Sequence, residues 1–376
     1  MPVLARHPRL RWVAPLAAVA ALVGGVAVSS AASGAGGAPP VTAQELLVRL
    51  QQAKPAAFSG EVRSTLDLGL PQLPIPGGHG GANLSSVISG SHDWRVWSDG
   101  GDRVRLALVD GAAESDIVHS GRDVWMWSSA DHTATHLLLP APPAGTTHPA
   151  PALPSDLAAT FADPQQAAAY VLKALDPTTG VATTSTDTVA GRAAYGLVLT
   201  PRSTTTKVGS IHLSVDAETS LPLAVSVTAR GATTPAINVA FTALSYAAPP
   251  ASVFTFTPPP GTTVTTKTLG GEGKGWMGSK PTADAKPNAH ADAPPTPPTV
   301  VGSGWDSVAV VTLPSGAKDA LTSGPAAALI GMLPSVSGAW GSGHLLDGAL
   351  ISVLLTDDGR VAVGAVAPDA LYAALR

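Results

Sequence analysis

The chain contains no cysteine. Disulfides, thiolate metal sites, a cysteine nucleophile and an acylated-cysteine anchor are therefore all excluded. Charge is scarce. Asp, Glu, Lys and Arg together make up 13% of 376 residues, and the net charge is -4, which is low for a soluble cytosolic protein. No basic stripe runs through the body of the chain, which argues against nucleic acid as a partner. The common catalytic signatures are missing as well. There is no Gly-x-Ser-x-Gly elbow and no His-Glu-x-x-His pair. The run GGEGKGWMGSK at 270–280 fails the spacing of a phosphate loop. His132 and His136 would pair on a helix, but in a strand they stand roughly 13 Å apart and cannot share a metal. Asp357 and Asp358 belong to a hairpin turn. The residues thus predict no catalytic group, no metal and no cofactor, and point away from an enzyme.

Apolar residues are plentiful, at 45% of the chain, enough for a real core. The clearest local signal is N-terminal. Arg6, Arg9 and Arg11 precede the run WVAPLAAVAALVGGVAVSSAASGA. A positive start, an apolar stretch and then small residues make a secretory signal, and Ser33 and Ala35 fit the cleavage pattern. The apolar stretch is about 20 residues long, which also suffices to span a bilayer. Residues 1–35 are therefore read as a signal peptide or an N-terminal membrane anchor. In either case the chain beyond is exported, and is secreted or tethered to the cytoplasmic membrane.

Beyond a short spacer, TAQELLVRLQQA opens with Thr42 and Glu45 at capping-box spacing, so a helix starts there. Leu46, Leu47 and Leu50 supply its apolar stripe. In FSGEVRSTLDLGL, Phe58, Val62, Leu66 and Leu68 alternate with polar residues, as in a half-buried strand. A Pro/Gly loop carrying Leu73 and Ile75 follows. Turn residues at Asp99-Gly100-Gly101 and Ser120-Gly121-Arg122 then break the sequence into an antiparallel meander. DPQQAAAYVLKALDP, with Asp163 as N-cap and Pro164 at the first helical position, predicts a second helix carrying Val171 and Leu175. A cleaner set of strands follows: AAYGLVLTP, GSIHLSVDAETS, LPLAVSVTARG and AINVAFTALSY. Residues 265–303 change to Gly, Pro, Ala, Lys and Asp and read as a flexible linker. The tail, 304–376, predicts strands and two short helices. At about 70 residues it is marginal alone and is expected to dock onto the larger part or onto a partner.

One strand poses a question. In GRDVWMWSS, Val124 and Met126 face one way, and Trp125 and Trp127 the other. Both faces are apolar, whereas the other strands have one polar face. Either more protein covers the second face, or a ligand does. Trp94, Trp97, Trp125 and Trp127 fall in one meander. They pack as an ordinary core, or they line the concave face of a curved sheet whose hollow takes an apolar ligand.

The order of elements resembles the LolA-like and RseB-like periplasmic proteins. GRDVWMWSSADHTATHLL is similar to that family's Gly-led, Trp-containing strand–turn–strand. IHLSVDAETSLPLAVSV, from Asp216 to Pro222, resembles its strand–Asp–turn–Leu-Pro–strand signature. VFTFTPPPGTTV, from Phe254 to Gly261, resembles its closing Phe-x-Phe-x-Pro-Pro element. The likeness covers residues 41–264. Heavy use of Ala, Gly and Pro suggests a GC-rich genome and a member of the actinobacterial type. The resemblance implies an α+β fold: a mostly antiparallel, strongly curved sheet forming an unclosed β-barrel with a helical lid. A small α+β C-terminal domain at 304–376 would follow, as in RseB-type members. It also implies a non-enzymatic carrier for a lipid or an acylated lipoprotein. The alternative is an envelope regulatory module that binds a membrane-embedded, anti-sigma-type protein. On this reading Trp94, Trp97, Trp125, Trp127, Leu197 and Leu199 line the cavity. Leu46, Leu47, Leu50, Val171 and Leu175 form the lid.

Overall fold

The computed structural model describes residues 39–53, 56–69, 89–110, 113–140, 177–268, 298–314 and 325–376. The N-terminal segment read as a signal or anchor, the loop with Leu73 and Ile75, the helix predicted around Val171 and Leu175 and most of the segment read as a linker lie outside them. Among the described residues no helix is long and apolar enough to cross a membrane.

Twelve strands form one large sheet. The first six are β1 (Ala57–Leu66), β2 (Gly90–Asp99), β3 (Arg103–Asp110), β4 (Ala113–Ser120), β5 (Asp123–Ser128) and β6 (Thr133–Leu138). These make a meander whose neighbours in sequence are neighbours in space. A second meander runs through β7 (Thr179–Val189), β8 (Arg192–Pro201), β9 (Val208–Asp216), β10 (Pro222–Ala229) and β11 (Pro235–Ser245). The two meanders join at one place, where β1 pairs antiparallel with β11. β12 (Thr263–Thr268) then pairs parallel with β6. The strand order has two ends, β12 and β7, so the curved sheet does not close.

The first helix, α1 (Ala43–Gln52), begins as its sequence predicts. Thr42 Oγ1 accepts from the Glu45 N–H at 3.2 Å, and Glu45 Oε2 accepts from the Thr42 N–H at 2.7 Å. α1 lies over the β7–β11 half of the sheet. There Leu46 is wholly buried among Tyr195, Leu197, Leu199 and Ile211, with Leu47 and Leu50 packed at the margin. Thr183 Oγ1 donates to the Val41 carbonyl at 2.7 Å and ties the start of the helix to β7.

The tail forms a second sheet of six strands: β13 (Thr299–Val301), β14 (Val308–Thr312), β15 (Ser335–Gly338), β16 (Gly341–Asp347), β17 (Ser352–Thr356) and β18 (Arg360–Gly364). Helices α2 (Pro325–Met332) and α3 (Pro368–Ala374) accompany it. Leu371 and Leu375 of the last turn and its end pack into a core of its own with Val308, Leu354 and Trp340. This sheet docks onto the larger one. Trp305 and Leu350 are buried in the same cluster as Leu46 and Leu197. The Trp305 indole N–H donates to Thr179 Oγ1 at 2.8 Å. Thr206 Oγ1 donates to the Ala365 carbonyl at 2.7 Å, and the Ala349 N–H donates to the Leu68 carbonyl at 2.6 Å. Lys207 reaches both Asp347 and the Gly348 carbonyl.

Two stretches depart from the sequence reading. Strand pairing continues through β12 to Thr268 and resumes at Thr299, inside the segment read as linker from 265 to 303. The reason is composition. β12 is TVTTKT with every residue exposed, so it has no alternation to find, and its pairing comes from the backbone.

Candidate binding face

Directly opposed residues of a ladder point to the same side of the sheet. The register therefore assigns every candidate to a face. One row runs Trp97–Arg105–Val118–Trp125–His136 across β2 to β6, and the next runs Arg95–Ala107–Asp116–Trp127–Ala134. The opposite face has the rows Val96–Leu106–Ile117–Met126–Thr135 and Ser98–Val104–His119–Val124–Leu137. Trp94 opposes Val62, which opposes Phe241. A longer row, His92–Ser64–Val239–Val225–Leu213–Leu197, shows that Trp94, Leu197 and Leu199 share this second face. Because α1 packs on it, we call it the inner face.

The six cavity candidates are therefore not brought together. Trp94, Leu197 and Leu199 are on the inner face, and Trp97, Trp125 and Trp127 on the outer. The reason is the strand period of two: Trp94 and Trp97 are three apart and must point to opposite sides.

The outer tryptophans are packed by the chain itself. After β11 the chain crosses this face through a 3-10 turn at Ala251–Phe254. Phe254 is buried, with the Arg103 guanidinium 5.3 Å from its ring centre. Phe256 sits 5.3 Å from Trp125 and 6.1 Å from Trp127, centre to centre. Trp125 stacks flat on His136 at 4.1 Å with the planes 1° apart, and His136 Nε2 lies 2.7 Å from Asp123 Oδ1. Arg105 lies over Trp97 at 5.4 Å and grips the buried Asp116 through two hydrogen bonds of 3.2 and 2.7 Å. More protein covers the second face of β5. The Phe-x-Phe-x-Pro-Pro element supplies that cover and then delivers β12 to its place beside β6. The outer face also carries an open depression of about 390 Å³ over β2, β1 and β11, bordered by Trp97, Arg95 and Glu61. It lies open to solvent, with Arg95 and Glu61 at its border.

The inner face divides into two halves. On β7–β11 it is filled: α1, Trp305 and Leu350 cover Tyr195, Leu197, Leu199 and Ile211. Leu46, Leu47 and Leu50 therefore belong to a closed core on this half and do not lid a hollow. The other two lid candidates, Val171 and Leu175, lie outside the described residues. On β2–β6 the inner face is different. Val96, Leu106, Ile117, Met126, Val124 and Leu137 are each only half-buried, and neither apolar core of the described residues includes them. Trp94 borders this strip, its indole N–H donating to Ser64 Oγ at 2.9 Å.

These strip residues carried a sequence signal, since Val104, Leu106 and Leu108 alternate cleanly. The larger tryptophans of the same strands, Trp97, Trp125 and Trp127, lie on the other face. Between the halves stands Phe241, whose ring lies over Gly60. A Cβ at Gly60 would come within 2.7 and 2.8 Å of that ring.

Polar clusters occur on the outer side of the second meander. Asp187 accepts from Ser214 Oγ and Thr184 Oγ1, each at 2.8 Å, and lies 2.7 Å from His212 Nε2. Burial alone would raise the Asp187 carboxyl, but these partners outweigh it and hold it below its ordinary value. Ser214 is bonded to the carboxylate, not to the imidazole, so the trio has no activated nucleophile. At the β9–β10 turn Asp216 accepts from the N–H groups of Glu218 and Thr219, both at 2.8 Å, and from Arg192. Burial again opposes its ionisation, and Arg192 with the turn amides overcomes it, keeping the carboxyl below the usual range. Burial pushes the neighbouring Tyr246 phenol up to about 12. This is a turn clamp and explains the Asp of the family-like signature. Among the described residues no cluster of three acidic or histidine side chains is placed to hold a metal.

No protein-family model matches the chain, and no curated protein matches it. Solved structures do. The Pseudomonas aeruginosa MucA/MucB complex aligns at 19% identity over 89% of this chain and 96% of that one, with a TM-score of 0.42. MucB in complex with MucA(peri) gives 19% identity over 86% and 92%, with a TM-score of 0.40. A LolA superfamily protein from Nitrosomonas europaea gives 14% identity over 58% and 99%, with a TM-score of 0.23. Superpositions this loose say nothing of partners or cargo. This chain's own layout is an unclosed, curved and mostly antiparallel sheet with a smaller sheet docked on it, which agrees with the architecture that the sequence resemblance implies.

Proposed function

We propose that this chain is an exported, non-enzymatic binding protein that holds the acyl chain of a lipid or of an acylated lipoprotein against the inner face of β2–β6. The observation behind this reading is the strip itself. Two adjacent rows bring together Val96, Leu106, Ile117 and Met126 with Val104, Val124 and Leu137, all half-buried, on a face whose other half is closed by helix and indole. A soluble protein gains by covering such residues. An acyl chain that buries about ten methylenes there gains on the order of 8 kcal/mol before the costs of association. The N-terminal signal supports an extracytoplasmic location, secreted or tethered.

The test is direct. Protein purified without detergent is extracted for lipid and weighed by native mass spectrometry, and palmitate binding is titrated. Bound acyl chains are expected in the natural sequence, with at least a tenfold loss of palmitate affinity in Ile117→Asp or Met126→Asp. Absence of both copurified lipid and palmitate binding overturns the reading.

The regulatory reading has one observation of its own. The C-terminal part exposes Met332 at the end of α2 and Ile351 just before β17. It supports a protein contact there, with a membrane-embedded partner. In-cell crosslinking from position 332 is expected to capture one membrane protein, and Ile351→Asp to abolish that adduct. An unchanged adduct speaks against it.

A further inference from the structure

We propose that Phe241, braced by Phe58 and seated over Gly60, is the end wall of the acyl strip and sets the length of chain it accepts. This rests on the acyl-binding reading above and adds a specificity-determining pair to it.

The row Val96–Leu106–Ile117–Met126–Thr135 runs across the strands. Its next position, on β1, is Gly60, directly opposite Val96. Glycine leaves that position empty of side chain, and Phe241 of β11 uses the room. Its ring lies where a Cβ would be, 2.7 Å from that Cβ at the nearest ring carbon. Phe58, two residues along β1 on the same face, meets the ring edge-on, centres 5.8 Å apart and planes at 79°. An extended chain lying along the row from the β6 side thus runs into an aromatic ring at β1. Past that ring the face belongs to the filled half, with Val225, Leu213 and Leu197 beneath α1.

Dimensions and charge fit one occupant, a single extended acyl chain. Five strands at normal spacing give a strip about 19 Å long, and two rows on one face give a width of about 7 Å. The two rows hold no Asp, Glu, Lys or Arg, and the one histidine in them, His119, has its Nε2 3.0 Å from the Gly121 carbonyl oxygen. The β6 end gives onto Thr135 and the exposed Thr265 of β12, which suits the polar end of the ligand.

The experiment is a chain-length series, saturated fatty acids from octanoate to eicosanoate, titrated calorimetrically into the full chain. The natural sequence is expected to gain affinity with each added methylene up to a limit and none beyond it. In Phe241→Leu and Phe58→Ala the limit moves to longer chains, with a gain of roughly tenfold for two further methylenes. Phe241→Leu keeps an apolar side chain and guards against loss of folding, which circular dichroism checks. If the natural sequence binds no member of the series, the acyl-binding reading fails. If it binds with no limit, or with a limit that neither variant moves, the end wall fails while the reading stands.

Discussion

Replacing Trp305 with Ala tests whether the two sheets stand or fall together. Trp305 lies between β13 and β14 of the smaller sheet, yet its side chain is buried in the core of the larger one, in one cluster with Leu46, Tyr195 and Leu199. Its N–H donates to Thr179, which is wholly buried. Truncating a buried Trp to Ala costs about 3–5 kcal/mol. The lost hydrogen bond adds about 1 kcal/mol, because Thr179 keeps its contact with Thr178 at 3.2 Å. The sum of about 4–6 kcal/mol is a large part of the stability a domain normally has. Urea unfolding followed by far-ultraviolet dichroism and by tryptophan fluorescence is the assay. A single coincident transition is expected for the natural sequence, and in Trp305→Ala that whole transition shifts to lower urea. Trp305→Phe, which keeps most of the volume, should lose far less. The reasoning is refuted if Trp305→Ala costs under about 1 kcal/mol. It is refuted equally if the natural chain unfolds in two steps and the substitution moves only one.

Gly60→Val forces its side chain into the Phe241 ring and against the Ala243 carbonyl, 2.6 Å from the Cβ position, and should cost about 1–3 kcal/mol in chemical denaturation. Trp94→Phe removes a hydrogen bond to the buried Ser64 and should cost about 1–2 kcal/mol. Trp127 has a buried N–H with no partner among the described residues, so Trp127→Phe should cost less, and the reverse order of the two melts would contradict the packing described. Asp216 is held below its ordinary value of 3.8. Its contribution is therefore complete above about pH 4 and lost as the pH falls through the lower folded value. Asp216→Asn should lose about 3 kcal/mol at neutral pH, with the gap to the natural sequence narrowing in acid. A gap of constant size from pH 7 to pH 3 would refute the clamp.

The capping box at Thr42, the hairpin turns at Gly121 and Gly359 and the strands from Tyr195 to Ser245 were legible because each has a local cause: a cap, a left-handed residue or an alternation. β7 and β12 were not. Both are Thr-rich edge strands, TGVATTSTDTV and TVTTKT, whose place depends on a neighbour's backbone more than on an apolar side. β15 and β16, with their glycines, escaped for a related reason: they bury little along their length. At the candidate site, the period of two already separated Val124 and Met126 from Trp125 and Trp127. It did not reveal which side the Phe254–Phe256 crossing would occupy, since that packing joins residues more than a hundred positions apart. Nor could the filling of the Leu197 side by Trp305 be read locally.

The single join between the meanders bears on how the molecule is made. Within each meander a strand meets its neighbour after a short hairpin, and such contacts form early and fast. β1 is different, because Ser59 must find Ser245, and no nearer segment can take its place. A chain that appears N-terminus first holds the first meander with the rim of β1 free until nearly all of β11 has followed. That rim is an invitation to mispair with a neighbouring molecule. The interval before β1 and β11 meet is therefore when that edge is most open to wrong pairing, and when slowing of β11 would do most harm.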